Sequence, residues 1–452
     1  MASAKETMAV LAKKYPHEPT FLQAVEECAE ALAPILEGTS AEADRNRRCF
    51  AAMVEPERLL QFRVTWRNAA GALEHNRGWR VQFNSALGPY KGGLRFHPTV
   101  TADILKFLGF EQVFKNSLTG LAMGGGKGGS DFDPRGRTDA EVHAFCTAFM
   151  GELSRHIGPD TDVPAGDINV GGREIGYLFG AYKKIMNKDQ SVLTGKGLNW
   201  GGSLIRPEAT GYGCVYFGEF ALKGERGLAM KGLKCVVSGS GNVAQYTVEK
   251  LIELGALPVS VSDSGGCLVK PAGLTTADLA VLIQAKTVDR VRLEAVASKI
   301  PGSTFTKGSI WSNLPAKIDA AYPSATQNEV DAAAATALVK AGCKGVFEGA
   351  NMPCTRDAVA VLKKGDIVYG PGKAANAGGV GVSGLEMAQN ASRANWSRAE
   401  VDGKLKDMMA GIYAAAVANA PPKAGAVRDL EVGANRAGFL KVAAAMNDLG
   451  WI

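Results

Sequence analysis

Apolar side chains recur at helical spacing at Phe21, Val25, Cys28, Leu32 and Leu36, which predicts an amphipathic helix near the start of the chain. Its stripe could face the core or another subunit. Over residues 59–84 the pattern shortens to the alternation of strands, in RVTWRN and WRVQFNSALGPY, both rich in aromatic and β-branched residues. Ile104, Leu105, Leu108 and Phe114 restore a helical period over 101–118, with Gly120 as a stop. Another helix is expected over 139–155. The stretch TGKGLNWGGSLIRPEATGYG, residues 194–213, is glycine-rich, contains Pro207 and reads as the crossing between two domains. Beyond it the texture changes. A strand over 234–238 meets a glycine turn and a helix to Leu254, and another strand runs through Val259 and Val261. Helices fit 276–286 and 329–341; strands fit 318–322, 345–348 and 367–369. Strand and helix alternating at this spacing argue for a parallel, doubly wound sheet. A last helix over 435–446 can return to the first domain.

Length and composition add to this picture. A chain of 452 residues is too long for one ordinary core, so two or three domains are expected. Lys and Arg number 51 against 45 Asp and Glu, a mild excess that suits anionic ligands and argues little for nucleic acid. The eight Cys show no C-x-x-C pair and the five His no ligand spacing, so a reduced, cytoplasmic interior and no metal are expected. The first twenty residues lack the apolar core of a signal peptide, and no run of about 18 apolar residues exists to span a membrane. Glycine, at 55 residues, is clustered rather than periodic, which marks places of close backbone approach or unusual φ.

One cluster is specific. In KCVVSGSGNVAQYTVEKL, Gly239-x-Gly241-x-x-Ala244 stands directly after a strand and before a helix. Gly239 permits the tight turn and Gly241 lets a pyrophosphate approach the backbone. The helix N-terminus offers free N–H groups. The bland alternative is a glycine turn in a sheet protein that binds nothing. Ser240, Asn242 and Val243 complete the loop. Asp263 lies at the distance where an acid binds the ribose 2′-OH, which favours NAD. Ser264, with Gly265, Gly266 and Lys286, could instead receive a 2′-phosphate, and the residues alone leave that choice open.

Three lysines have unusual settings: Lys91 in GPYKGGLRFHP, Lys115 in EQVFKNSLTG and Lys127 in MGGGKGGSDFDP. Any one of them would ordinarily be a solvated surface lysine. Together, two of them read as embedded in glycine loops, they can converge on a dicarboxylate. Gln112 shares a helix face with Lys115. Each charge-assisted hydrogen bond contributes roughly 1.5–3 kcal/mol once water is excluded. Desolvation and neighbouring lysines both lower a lysine pKa, as could happen at Lys127, and a value of roughly 7–8 is what acid–base catalysis at neutral pH prefers. Asp167, in the glycine-rich DVPAGDINVGGREIG, is either an Asx-turn or cap, or a carboxylate that shuttles protons.

These segments resemble one family, the glutamate dehydrogenases, and most closely its short NADP-dependent microbial type. KGGLRFHP, MGGGKGG, PAGDINVGGREIGY, RPEATGYG, SGSGNVAQ, EGANMP and AANAGGVGVSGLEM occur in the family's order, across nearly the whole chain. The resemblance implies an α/β protein of two domains, an N-terminal α/β substrate domain and a Rossmann-like doubly wound dinucleotide-binding domain. The expected boundaries are 1–200 with 425–452 for the first and 201–424 for the second. It further implies a homohexamer, a deep cleft that closes during turnover, NADP(H) as cofactor, and 2-oxoglutarate, L-glutamate and ammonium as reactants.

Carried over by residue, Lys91 resembles the lysine that pairs with the substrate's side-chain carboxylate, helped by Ser383. Gln112 and Lys115 resemble the binders of the α-carboxylate, and Gly166 a backbone contact. Lys127 is similar to the catalytic lysine and Asp167 to the proton-transfer aspartate. Arg206 and Thr210 resemble cleft and nicotinamide contacts, and Asn351 and Asn376 nicotinamide-side residues. Two rival readings are a sister dehydrogenase of leucine, valine or phenylalanine, which would carry an apolar residue at Lys91, and a non-catalytic binding protein, which would have lost Lys127 or Asp167. An NAD-dependent enzyme remains the nearest variant.

Overall fold

A computed structural model of the chain describes residues 4–189, 191–421 and 427–450. The expected boundary between 424 and 425 lies outside the described residues. Two compact units emerge. The first comprises Met1–Arg206, Val382–Val401 and Asn435–Ile452; the second comprises Pro207–Gly381 and Asp402–Ala434.

The first unit is built on strands β1 (Arg58–Arg67), β2 (Leu73–Asn84), β3 (Tyr90–Phe96), β4 (Gly125–Ser130) and β5 (Asp162–Gly166). They form one mixed sheet in the order β1-β2-β4-β3-β5. β2 is antiparallel to β1 and β4, whereas β3 runs parallel to both β4 and β5. The helix Ala102–Leu118 makes the crossover from β3 to β4, capped by the Thr101 hydroxyl, which accepts from the Ile104 N–H at 3.3 Å. On one side of the sheet, Phe21, Val25, Cys28, Leu32 and Leu36 are all buried with Phe83, Phe110, Phe114 and Phe439. The stripe of the helix Pro19–Leu36 therefore closes its own core. A second core holds Phe96, Phe132, Phe145 and Phe149, with the Phe132 and Phe145 rings stacked at 3.8 Å.

The glycine runs around Lys91 and Lys127 are strands, not the loops their composition suggested. The reason is packing. A Cβ at Gly125 would strike the backbone of Val113, so the absence of a side chain lets β4 lie directly against the crossover helix.

In the second unit the strands are β6 (Lys234–Val237), β7 (Leu257–Pro258), β8 (Ser260–Asp263), β9 (Gly266–Val269), β10 (Thr304–Lys307), β11 (Ala320–Tyr322), β12 (Gly345–Phe347) and β13 (Val368–Gly370). Five form a wholly parallel sheet in the order β13-β12-β11-β6-β7. The chain leaves β6 toward β7 and later crosses to β11 on the other side, so the topology switches at β6. The expected strand through Val259 and Val261 divides between two sheets. β8 turns away into a small antiparallel sheet with β9 and β10. Val259 is the pivot: its N–H donates to Cys235 at 2.8 Å and its carbonyl accepts from Lys270 at 2.8 Å.

Helix starts are set by caps. The helix expected from 329 begins at Ala332, because the Asp331 carboxylate accepts from the Ala334 N–H at 2.8 Å. The helix Gly172–Met186 starts inside a double glycine whose composition suggests a loop. There Glu174 reaches back to the Gly171 N–H at 2.9 Å. The helix expected over 276–286 ends at Ile283 and continues as a single π-turn, Gln284–Val288. Among the described residues no helix is long and apolar enough to cross a membrane.

Candidate active site

Strand register gathers the first group. β3 pairs with β4 at Arg95 and Gly129, and with β5 at Leu94 and Gly166. That register sets Arg95 beside Asp167, the residue following β5, and brings Lys127 of β4 to the same carboxylate. Lys127 Nζ donates to Asp167 Oδ1 at 2.9 Å, and Arg95 Nε donates to Oδ2 at 2.7 Å. Burial pushes the Asp167 carboxyl up, but Lys127 and Arg95 outweigh it and hold the group well below the usual carboxylate range. Asp167 is thus an ionised acceptor between two cations, and the Asx-turn reading of its side chain falls away. Gly166 ends β5 with its backbone packed on the Val170 carbonyl, where a Cβ would collide.

Lys127 is buried, and desolvation lowers its pKa; Asp167 pulls it back up, while Arg95 and Arg80 add to the lowering. Lys115, on the crossover helix with Gln112, is brought down to about 8 by desolvation first and then by Lys127. Gln112 Nε2 donates to Asn116 Oδ1 at 2.7 Å.

Lys91 is fully buried, and its Nζ donates to the Thr194 hydroxyl at 2.8 Å. Desolvation drives its pKa well down, Arg206 adds to that, and Glu386 opposes it. Arg206 Nε donates to the Ser383 hydroxyl at 2.8 Å. Ser383 lies on the helix Gly378–Ser392, three residues before Glu386 and so on the same face. The Glu386 carboxylate accepts from the N–H groups of Gly195 at 3.0 Å and Lys196 at 3.2 Å, and pairs with the Lys196 ammonium at 3.2 Å. This fixes the turn that presents Thr194, where Leu193 adopts φ 62°. All the expected substrate groups therefore lie in one unit, and the pKa values of Lys91, Lys115, Lys127 and Arg206 among them are depressed, by burial first and, for the lysines, by neighbouring cations after it.

The second unit carries the expected dinucleotide groups. Gly239 follows β6 with φ 82°, and Gly241 caps the helix Asn242–Glu253. A Cβ at Gly241 would meet nothing within 4 Å, so its open side leaves room for a ligand at the helix N-terminus. Ser240 is buried, and its carbonyl accepts from Gln245 Nε2 at 2.8 Å; Val243 opens the helix. Asn242 spends its amide on the Pro207 carbonyl at 2.6 Å, which ties the loop to the start of the helix Ala209–Arg226, where Thr210 sits. Asn376 Nδ2 donates to Asn351 Oδ1 at 3.1 Å and to the Ala350 carbonyl at 2.9 Å, so those two residues are neighbours.

Asp263 is not poised as an open acid. Its Oδ2 accepts from Lys286 Nζ at 3.1 Å and the Leu293 N–H at 2.9 Å, and its Oδ1 from the Gly265 N–H at 2.9 Å. Burial works to raise its pKa, but these donors prevail and lower it. Arg292 donates to the Ser264 hydroxyl beside it. Two cations and a hydroxyl thus surround the position where an acid alone would favour NAD.

Sequence reasoning gave no role to Arg95, Thr194, Glu386 or Arg292. Arg95 had a signal: on a strand it shares the face of Lys91, two alternations away. Thr194, Glu386 and Arg292 had none, because their partners are remote in the chain.

The family model described as Glutamate/Leucine/Phenylalanine/Valine dehydrogenase matches residues 201–450, and that of the Glu/Leu/Phe/Val dehydrogenase dimerisation domain matches residues 56–184. The chain is 52% identical over 449 residues to the NADP-specific glutamate dehydrogenase of Giardia intestinalis, covering 99% of each. It is 52% identical over 447 residues to that of Helicobacter pylori, covering 96% of this chain and 97% of the relative. Among solved structures, Plasmodium falciparum glutamate dehydrogenase aligns with a TM-score of 0.95 at 49% identity, over 99% of this chain and 94% of that one.

Proposed function

The chain belongs to the Glutamate/Leucine/Phenylalanine/Valine dehydrogenase family, and from that premise we propose how its residues divide the work of an amino-acid oxidoreductase. The activity is that of an NADP-dependent glutamate dehydrogenase: reversible reductive amination of 2-oxoglutarate with ammonia to L-glutamate. NADPH, when bound, supplies the hydride that reduces the imine carbon.

Lys91 takes the distal carboxylate of the keto acid, with Thr194 orienting its ammonium and the Arg206–Ser383 pair closing that end. This is the feature that selects a dicarboxylate, since an apolar side chain would leave a buried cation unmatched. Lys115 and Gln112 take the α-carboxylate and Gly166 offers its backbone. Lys127 donates a hydrogen bond to the 2-oxo oxygen and draws electron density from C2. Ammonia then adds to C2 as Lys127 protonates the oxo oxygen, and Lys127, once recharged, protonates the carbinolamine hydroxyl so that it leaves as water. Asp167 accepts the proton shed by the nitrogen and returns it to Lys127 along the bond between them. Charge stabilisation of this kind is strongest in a buried, preorganised site.

The fit of the second unit to a dinucleotide rests on the open Gly241 side at a helix N-terminus. Gly239, Ser240, Gly241, Asn242 and Val243 hold the pyrophosphate. Ser264, with Lys286 and Arg292, holds the 2′-phosphate, while Asp263 serves to fix Lys286. Thr210, Asn351 and Asn376 serve the nicotinamide. A homohexamer is supported by the match to a dimerisation domain and by a structural relative described as a hetero-hexameric glutamate dehydrogenase of Thermus thermophilus. All eight cysteines are buried thiols and none forms a disulfide, which supports a reducing, cytoplasmic setting.

The observation that carries the assignment of roles is the convergence of Lys91, Lys115, Lys127 and Asp167 from β3, β4, β5 and one helix. The test is spectrophotometric: initial rates with 2-oxoglutarate, ammonium and NADPH, repeated with NADH. NADPH oxidation that requires both other reactants and exceeds NADH oxidation is expected. No absorbance loss between pH 6 and 9 would overturn it.

A further inference from the structure

One buried acid in the second unit takes no part in the chemistry above. Glu348 directly follows β12, at the carboxyl ends of the parallel strands, and is 3% exposed. Its two oxygens hold two different segments. Oε2 accepts from the N–H of Gly372 at 2.7 Å, which opens the short helix Gly372–Ala375 after β13. Oε1 accepts from the N–H of Cys354 at 3.2 Å, at the end of the loop that follows β12. Asn351 lies within that loop, and Asn376 caps the short helix. Asn376 in turn donates to Ala350 and Asn351, completing a closed circuit. Gly372 allows the approach: a Cβ there would lie 3.1 Å from the Glu348 carboxylate and 3.3 Å from the Asn376 amide.

We propose that Glu348 is a positioning residue that clasps the two segments carrying Asn351 and Asn376, and so sets the nicotinamide side of the dinucleotide site. The proposal rests on the reading that those two asparagines serve the nicotinamide. A carboxylate is the side chain that suits the task, because each N–H needs an acceptor and the two oxygens supply one apiece. Glutamine would accept one N–H and confront the other with its own NH₂ group.

The clasp also titrates near neutrality. Burial pushes Glu348 up to about 7; the Tyr369 hydroxyl and the two backbone N–H groups restrain it, and Glu431 adds to the rise. The thiols of Cys354 and Cys214 feel the same charge, and Glu431 is itself paired with Lys363 at 2.7 Å. Above pH 7 the carboxylate is ionised and both oxygens accept. Below it one oxygen carries a proton and the clasp loosens. Affinity for the nicotinamide half therefore rises as pH rises through about 7.

NADPH and 2′,5′-ADP binding, followed by fluorescence titration and calorimetry from pH 6 to 8.5, test this in the intact protein. Because 2′,5′-ADP lacks the nicotinamide, it reports the rest of the site. Glu348→Gln is expected to bind 2′,5′-ADP as the wild type does, to bind NADPH about tenfold more weakly at pH 8, and to lose the NADPH-specific inflexion near 7. Wild-type NADPH affinity and pH profile in this variant would overturn the proposal. Tyr369→Phe leaves both backbone clasps in place and removes a restraint, so the inflexion should move to higher pH; an unmoved inflexion would overturn it equally. Asn376→Ala separates the premise: unchanged NADPH affinity there means the asparagines do not meet the nicotinamide, whatever Glu348 does.

Discussion

The groups proposed for the keto acid in the first unit and those proposed for the dinucleotide in the second would bind anions by opposite means. In the first, Lys91, Lys115, Lys127 and Arg206 all have depressed pKa values, burial being the first cause in each case. The protein holds an excess of positive charge there, and a dianion relieves it. In the second, the loop after β6 offers backbone N–H groups and a helix terminus, and the buried charge beside it is an acid, Glu348, with a raised pKa. Lysine ammoniums can donate protons, whereas backbone amides cannot. Chemistry therefore belongs with the cations and pure holding with the amides. This division also decides how each region fails. Removing the proton-donating Lys127 should change turnover, while disturbing the amide region should change affinity.

Lys127→Ala gives the sharpest break. General acid catalysis and polarisation of the oxo group disappear together, and turnover should fall by about 10²–10⁴-fold. NADPH binding, measured by fluorescence, should stay at the wild-type value. Comparable losses in both would erase the contrast between the two regions. Lys91→Leu comes next. Losing a charge-assisted pair to the distal carboxylate costs roughly 1.5–3 kcal/mol, or about 10–100-fold in kcat/KM for glutamate. The same change removes a fully buried cation with a strongly depressed pKa, so Tm should hold or rise. A large fall in Tm would mean that Lys91 is structural.

Much of the first region was legible in the chain, and the reason is local. Helix 102–118 has a cap, a period and a stop, so spacing alone sets Gln112 and Lys115 on one face. The glycine fingerprint after β6 was readable because turn, approach and helix start are all near neighbours. Lys91 and Lys127 stand out in the chain as unusual, but as loop residues. Composition shows that glycine allows close approach and does not show what approaches; here it is the helix backbone at Val113. Arg95 on Asp167, Glu386 on the Thr194 turn, and Glu348 on Gly372 were not legible. Each is a contact across strands or between segments remote in sequence. Asp263 shows the same limit: its spacing favours NAD while Ser264 and Lys286 leave the choice open, and the bonds from Lys286 and Leu293 to its carboxylate, with Arg292 on Ser264, were not legible.

Acid–base behaviour sharpens the comparison further. Burial, and after it Lys127, bring the Lys115 pKa down to about 8. Its cationic form is the one that binds a carboxylate, so affinity for 2-oxoglutarate should be full below pH 8 and decline as pH rises past it. Between pH 8 and 9 the free-enzyme dissociation constant should rise by about fivefold. Lys115→Arg, which stays charged, should flatten that profile even if it weakens binding at pH 7. A wild-type profile that stays level to pH 9 would show that Lys115 keeps its proton and that the field of Lys127 is screened.

The smallest effect is expected at Arg292. Its side chain is exposed, and its contact is the Ser264 hydroxyl beside an Asp263 already neutralised by Lys286. An exposed charge–phosphate contact contributes about 0.5–1 kcal/mol, so Arg292→Ala should lower the NADPH-to-NADH preference by only about two- to fivefold. Lys286→Ala should do more, because it removes a cation and frees the Asp263 carboxylate to repel a 2′-phosphate and accept from a 2′-OH. The ratio of kcat/KM values for NADPH and NADH, measured for both variants in low and high salt, decides between them. If Arg292→Ala costs more than Lys286→Ala, the phosphate is held by direct charge at the rim. If the order is as expected, cofactor choice depends on keeping one buried acid occupied.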